Sequence, residues 1–226
     1  NTVKEIFREV QKKGDEAVSK YTSIFDGITF ENIQVTQEEI SAAIALVSDD
    51  LKKSIKVAQA NIIKFPTAQK IEVVTTQGVF CWQEKRPIQK VGLYIPGGTA
   101  PLFSTVLMLA IPAQIAGCTE IILCSPPDKS GKINPAILYT ANLCGVTKIY
   151  KVGGIQAIAA LTFGTEIIPK VYKIFGPGNQ FVTVAKQVAT QFGVAIDMPA
   201  GPSELMVVAD ETSVPAFVAS DLLSQA

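Results

Sequence analysis

The chain has 226 residues, 48% of them apolar, enough to bury one large core or two small ones. Lys+Arg and Asp+Glu number 20 each and neither sign clusters, which argues against the basic patch of a nucleic-acid binder and the acidic run of a disordered tail. There is no histidine, so the side chain most used for proton transfer near neutral pH, and a common metal ligand, is missing.

The start, Asn1-Thr2-Val3-Lys4-Glu5, is not a secretory signal, and without an initiator Met it reads as a processed or incomplete N-terminus. Thr2-x-x-Glu5 reads as a capping box for a first helix with Val3, Ile6, Phe7 and Val10 on one face and Gly14 as its stop. Asp15 is placed to cap a short second helix through Ala17, Val18 and Tyr21. Thr36-x-x-Glu39 is another capping box, followed by Ile40, Ala43, Ile44 and Val47. A longer helix is expected over residues 49–64, with Leu51, Ile55, Ala58 and Ile62 buried and Phe65-Pro66 ending it. Residues 71–93 carry β-type runs: Ile71 to Thr75, Val79 to Gln83, and the approach Arg86-Pro87-Ile88.

From residue 91 strand-like and helix-like runs alternate, the signature of βαβ units and a parallel sheet. The strands are expected at Val91–Ile95, Glu120–Cys124, Lys148–Val152 and Lys173–Phe175. The helices are expected at Phe103–Ala116, Pro135–Cys144, Gln156–Phe163 and Phe181–Phe192, each with a glycine just past its end. Residues Leu205–Ala209 read as a strong strand, and a helix capped near Ser213 carries Phe217, Val218, Leu222 and Leu223. The longest apolar run, Pro101 to Ile115, is broken by Ser104, Thr105, Pro112 and Gln114 and is too short for a membrane span. Cys81, Cys118, Cys124 and Cys144 form no CxxC pair and read as buried free thiols of a reducing cytosol, not as a zinc knuckle.

Three strand-to-helix turns are rich in glycine: Tyr94-Ile95-Pro96-Gly97-Gly98-Thr99, Val152-Gly153-Gly154-Ile155-Gln156 and Phe175-Gly176-Pro177-Gly178-Asn179. In a parallel sheet all three fall at the carboxyl edge, where open α/β sheets bind ligands. Glycine lets backbone approach a ligand, and a following helix N-terminus favours an anion. One such turn is an ordinary tight turn. Three, with Tyr94, Gln156 and Asn179 beside them, point to a crevice for a phosphate-bearing cofactor. G-x-G-x-x-G and the P-loop are both absent, so spacing alone names no ligand. Ser203, in Asp197-Met198-Pro199-Ala200-Gly201-Pro202-Ser203-Glu204, lacks a nucleophile elbow and any histidine to activate it. Asp221 and Gln225 share one face of the last helix, by itself an ordinary polar face.

Together these motifs, in this order, closely resemble the histidinol dehydrogenase family. The resemblance is dense from about residue 84 and looser before it. It implies two Rossmann-like parallel-sheet domains. The first would be discontinuous and incomplete, from residues 1–93 plus 202–226 with the N-terminal helices; the second, contacting NAD, would span 94–201. It implies a cytoplasmic homodimer that oxidises L-histidinol to L-histidine in two NAD-dependent, zinc-assisted steps through an aldehyde-level intermediate. Tyr94, Gln156 and Asn179 match NAD-contacting positions and Ser203 a substrate-contacting one. Gln225 matches a zinc ligand that also lies at the substrate. In the family signature Glu-His would follow Ala226, so the resemblance implies an N-terminal half, inactive alone. The Glu-His pair and the other zinc ligands, two histidines and an aspartate, would lie beyond it. Two alternatives stand beside it: an aldehyde-dehydrogenase-like oxidoreductase, which needs an activated cysteine, and a non-catalytic nucleotide- or ligand-binding module.

Overall fold

The computed structural model of the chain describes residues 2–29, 32–67, 74–76, 79–81, 84–98, 101–199 and 205–224. Four helices come first: α1 (Thr2–Lys13), α2 (Asp15–Asp26), α3 (Gln37–Leu46) and α4 (Asp49–Thr67). A small antiparallel pair follows, β1 (Val74–Thr76) with β2 (Val79–Cys81). The chain then alternates strictly through β3 (Lys90–Tyr94), α5 (Phe103–Ile115), β4 (Glu120–Ser125), α6 (Pro135–Leu143), β5 (Lys148–Lys151), α7 (Gly154–Phe163), β6 (Lys173–Phe175), α8 (Gln180–Thr190) and β7 (Ala195–Ile196). The last described helix is α9 (Pro215–Leu223).

Strands β3 to β7 form one parallel sheet in the order β5-β4-β3-β6-β7. Both faces are buried, as parallel sheets require. Side chains alternate along each strand. Tyr94, Ile122, Cys124, Tyr150 and Ile174 enter one core, with α7 and α8; Val91, Leu93, Leu123 and Ile149 enter the other, with α5 and α6. Gly92 lies on the α7 side because a methyl there would sit 3.0 Å from a Leu161 methyl.

The N-terminal helices add an outer layer on each face. Helix α1 packs on α7 and α8, and α2 on α7, while α3 packs on α6 and α4 on α5. Phe7 of α1 fixes one contact, 5.7 Å edge-to-face on Phe163 and stacked 6.1 Å from Phe192. The chain passes from one face to the other around β5. There Val35 N donates to Ile149 O (2.9 Å) and Lys151 N to Ile33 O (2.8 Å), with Ile33 in one core and Val35 in the other. This crossing covers an edge strand that would otherwise present unpaired backbone.

Most expected elements form, with boundaries within three residues, and the exceptions have local causes. Thr2 is already helical, so it does not cap α1. Asp15 is the first residue of α2, behind Gly14, and its carboxylate instead accepts from Ile167 N at 3.1 Å, tying α2 to the loop after α7. Helix α4 continues to Thr67, past the expected stop at Phe65-Pro66. Strand β7 was hidden by its two-residue length. Residues 205–209 form no ladder: Met206 and Val208 stand 84% and 86% exposed. Strand propensity is realised only against a partner, and none among the described residues lies alongside. Helix α9 has Val214, not Ser213, at its N-cap position, without a side-chain capping bond, and it buries none of its residues. The expected runs at residues 71–73 and 82–83 lie outside the described residues. No helix among the described residues is long and apolar enough to cross a membrane.

The Thr36 capping box is complete. Glu39 N donates to Thr36 Oγ1 (3.2 Å) and Thr36 N to Glu39 Oε2 (2.9 Å). The same carboxylate receives Lys151 Nζ at 3.0 and 3.2 Å, and Lys151 is almost entirely buried. Glu39 therefore joins a helix start to the end of a sheet strand. Removing its charge while keeping its shape, in Glu39→Gln, leaves a buried ammonium with a weaker partner. The expected loss is about 2 kcal/mol, read as a lower urea midpoint with an unchanged slope.

Candidate functional site

The chain runs outward from β3 to β4 and β5, then returns to β6 on the other side of β3. That reversal is a topological switch point, and the loops leaving the strands diverge there to open a crevice. A cleft of about 690 Å³ lies at this carboxyl edge. Tyr94, Gln156 and Asn179 all line it, so three residues picked from three separate turns meet in one place. Ser203 and Gln225 lie outside the described residues, as does Thr99 of the first turn.

Tyr94 ends β3 with its ring buried and its Oη accepting from Gly154 N at 3.0 Å. That bond uses an oxygen lone pair and leaves the phenolic proton to donate elsewhere. Burial pushes the phenol up to about 12, with Asp26 and Cys124 adding smaller amounts, so Tyr94 stays protonated across the physiological range. Gln156 stands in the first turn of α7 and is 1% exposed. Its Nε2 donates to Asp26 Oδ2 at 3.5 Å, while Oε1 has no hydrogen-bond partner. A buried acceptor left unmatched costs about 1–3 kcal/mol. Asn179 is the N-cap of α8; its Oδ1 accepts from Val182 N at 3.1 Å.

Four of the six turn glycines are required by packing, and Gly97 and Gly154 line the cleft. A methyl at Gly97 or Gly153 would meet Pro126 at 2.7 or 2.5 Å, one at Gly178 would meet Val182 at 2.4 Å, and one at Gly176 would meet the Tyr94 carbonyl oxygen at 2.1 Å. They let the turns pack on each other and on Pro126. The ligand reading therefore rests on the cleft, not on glycine count. Gly176 (φ 132) is held on both sides: its N donates to Asp197 Oδ2 (2.7 Å) and its O accepts from the buried Lys186 Nζ (2.7 Å). Lys186 and Asp197 also form an ion pair, closing a ring about the β6 turn.

Sequence reasoning did not find Phe25 and Asp26, which reach the cleft from the end of α2. Nothing local marks them, because their approach depends on how α2 docks on α7. The aldehyde-dehydrogenase alternative loses its nucleophile among the described thiols. Burial raises Cys124 far above the ordinary thiol range, Cys144 to about 11, and Cys118 less, whereas a reactive thiol needs a lowered pKa. Among the described residues no group of three Cys, Asp or Glu side chains is placed to hold a metal ion.

The histidinol dehydrogenase family model matches residues 1–226. The chain belongs to the histidinol dehydrogenase family. It is 59% identical to the histidinol dehydrogenase of Bacteroides thetaiotaomicron, over all of this chain and 54% of that protein. It is 57% identical to that of Escherichia coli K12, over all of this chain and 52% of that protein. A crystal structure of histidinol dehydrogenase from Elizabethkingia anophelis superposes with a TM-score of 0.94 at 60% identity, covering all of this chain and 53% of that one. The chain thus spans about half the length of the curated relatives it matches. Identity this high over every described element means that the switch-point cleft belongs to a histidinol dehydrogenase scaffold.

Replacing Tyr94 by Phe strips Gly154 N of its acceptor, and about 1–2 kcal/mol of stability should be lost at neutral pH. A phenol whose folded pKa lies above its unfolded value of about 10 holds its proton more tightly when folded. Its contribution is complete below about pH 10 and is lost as the pH climbs toward 12. Denaturation midpoints between pH 9 and 12 should therefore fall less steeply in Tyr94→Phe than in the parent. The slope that remains is expected because Tyr150, also pushed up to about 12, titrates in the same window.

Proposed function

We propose that this chain carries the dinucleotide-binding part of an enzyme that oxidises L-histidinol to L-histidine, with NAD held in the cleft at Tyr94, Gln156 and Asn179. The observation that carries the reading is the convergence of these three side chains on the switch-point cleft, with the buried Gln156 Oε1 unmatched. Bound there, NAD supplies the hydride acceptor for both steps. Each oxidation would take a hydride from the substrate carbon and release a proton, and ionisation of the acid formed in the second would release one more. Water enters between them, so the alcohol passes through the aldehyde level to the carboxylate and two NAD are reduced.

The chain's own residues bind and orient. The Tyr94 hydroxyl keeps a proton to donate, since its oxygen is already fixed by Gly154 N. Gln156 Oε1 accepts. Asn179 opens α8, whose first-turn amides give the cleft a positive end suited to the dinucleotide pyrophosphate. Phe25 and Phe181, both about half exposed in the lining, offer apolar surface to a planar ring.

Ser203 is proposed to contact the substrate, and Gln225 to contact both substrate and zinc. The residues present do not fit a zinc ion: the chain has no histidine, and one amide oxygen does not replace the four or so ligands that zinc takes in a protein site. On this reading the metal ligands and the Glu-His proton carriers come from residues outside 1–226. The first domain, residues 1–93 plus 202–226, is completed there too, and the whole protein works as a homodimer in the cytoplasm.

Calorimetric titration of NAD tests the reading. The chain should bind NAD. Gln156→Ala and Asn179→Ala should each weaken binding about tenfold, roughly 1.4 kcal/mol. The 226-residue chain should form no NADH from L-histidinol, whereas the protein encoded by the whole natural reading frame should form two per substrate. Absence of NAD binding in the parent would overturn the reading.

A further inference from the structure

Asp26 is the one charged side chain among the described residues that line the cleft; there is no lysine, arginine or histidine. It is the last residue of α2, and α2 is anchored by the buried Ala17, Val18 and Tyr21. Its only hydrogen-bond partner shown is the long contact from Gln156 Nε2. Burial, with no compensating cation, pushes its carboxyl up. A carboxylate in this state seeks neutral donors and repels phosphate.

Dinucleotide-binding sheets usually read the adenosine ribose with an acidic residue that follows the second strand. Here the second strand is β4, and the acidic residue after it is Asp128. Its Oδ1 already accepts from Ser130 N (2.8 Å), Ser130 Oγ (2.7 Å) and Lys132 N (3.1 Å), all within its own turn. Asp128 also lines a separate, smaller pocket and not the cleft. The carboxylate that follows the second strand is therefore engaged in its own turn and lies outside the cleft lining, while a carboxylate from an added helix stands in that lining with one long contact.

We propose that Asp26, paired with Gln156, binds the 2′,3′-diol of the adenosine ribose and excludes a dinucleotide carrying a 2′-phosphate. The inference rests on the reading of the cleft as an NAD site. Its geometry is the Asp26 carboxylate in the cleft lining, with the Gln156 amide held beside it through Nε2. A vicinal diol brings two donors to the two oxygens of one carboxylate. Gln156 follows β5 and Asn179 follows β6, three strand spacings away in the order β5-β4-β3-β6, or roughly 14 Å. Strand β7 lies beyond β6. An extended dinucleotide with its reactive ring on the β6–β7 side thus brings its adenosine half to Asp26. Asp26 selects the cofactor and is not a catalytic residue.

The test is the dissociation constants of NAD, NADP and the analogue lacking the adenosine 2′-hydroxyl, measured by calorimetry on the protein of the whole natural reading frame. The parent should bind NAD about 100-fold more tightly than NADP, and about tenfold more tightly than the deoxy analogue. In Asp26→Asn the NAD to NADP ratio should fall below about ten, and NAD and the deoxy analogue should bind alike. Asp26→Ser, checked for native circular dichroism as is Asp26→Asn, should behave the same way and guards against a variant that misfolds. If the parent binds NAD and both folded variants keep its NADP discrimination and its penalty for the missing hydroxyl, the inference is overturned and the NAD site stands. If the parent binds no NAD, the cleft reading and the inference fall together.

Discussion

A parallel sheet with two apolar faces has to be covered on both sides before it can exist in water, and most of this molecule follows from that need. Side chains along β3, β4 and β5 alternate between two separate cores, so neither face can be left wet. Crossover helices supply the first cover: α5 and α6 on one side, α7 and α8 on the other. Switching helices from one face to the other forces the chain to reverse its strand order, and the reversal opens the crevice. The cleft is thus a by-product of covering the sheet, and its polar residues sit where the helices begin.

The outer helices tie this scaffold to the site. Helices α1 and α2 lie on α7, and α3 and α4 on the opposite pair. The β5 crossing between them is sealed on the edge strand and braced by Glu39 against Lys151. Because α2 is docked by its buried face, its last residue projects over the start of α7. The position of Asp26 is therefore set by packing far from the cleft, and a change in the α1–α2–α7 core would be felt as a change in the charge facing the ligand.

Much of this was legible because the signals were local. The strands from Val91 to Phe175 are short apolar runs closed by turns, and the helix stops are glycines such as Gly145, which takes a φ of 64. The Thr36–Glu39 box is a four-residue pattern that forms as written. Tyr94, Gln156 and Asn179 were visible because each adjoins a glycine turn, although the glycines themselves answer to Pro126, Val182 and the Tyr94 carbonyl. What stayed hidden depended on distance in the chain. Asp15 looked like a cap and instead meets Ile167; Asp26, which no local pattern singles out, meets Gln156 across 130 positions. Leu205 to Ala209 has the composition of a strand, but composition cannot provide the neighbour that makes one.

The same distinction explains why the glycine turns and the ligand chemistry separate so cleanly. A glycine packed against protein is indifferent to what fills the cleft; an unmatched acceptor is not. Gln156 has one amide end committed to Asp26 and the other, Oε1, committed to nothing. Flipping the amide would satisfy neither atom, since it would set an oxygen against a carboxylate. The pair therefore sets a carboxylate in the cleft lining, while Tyr94, at the end of β3 and two strands from β5, keeps a phenolic proton. On the proposed reading, a ligand that meets both carries hydroxyl donors at one end and an acceptor further along. That demand is narrower than an anion site, and it arises from three side chains whose partners were fixed by the fold before any ligand arrives.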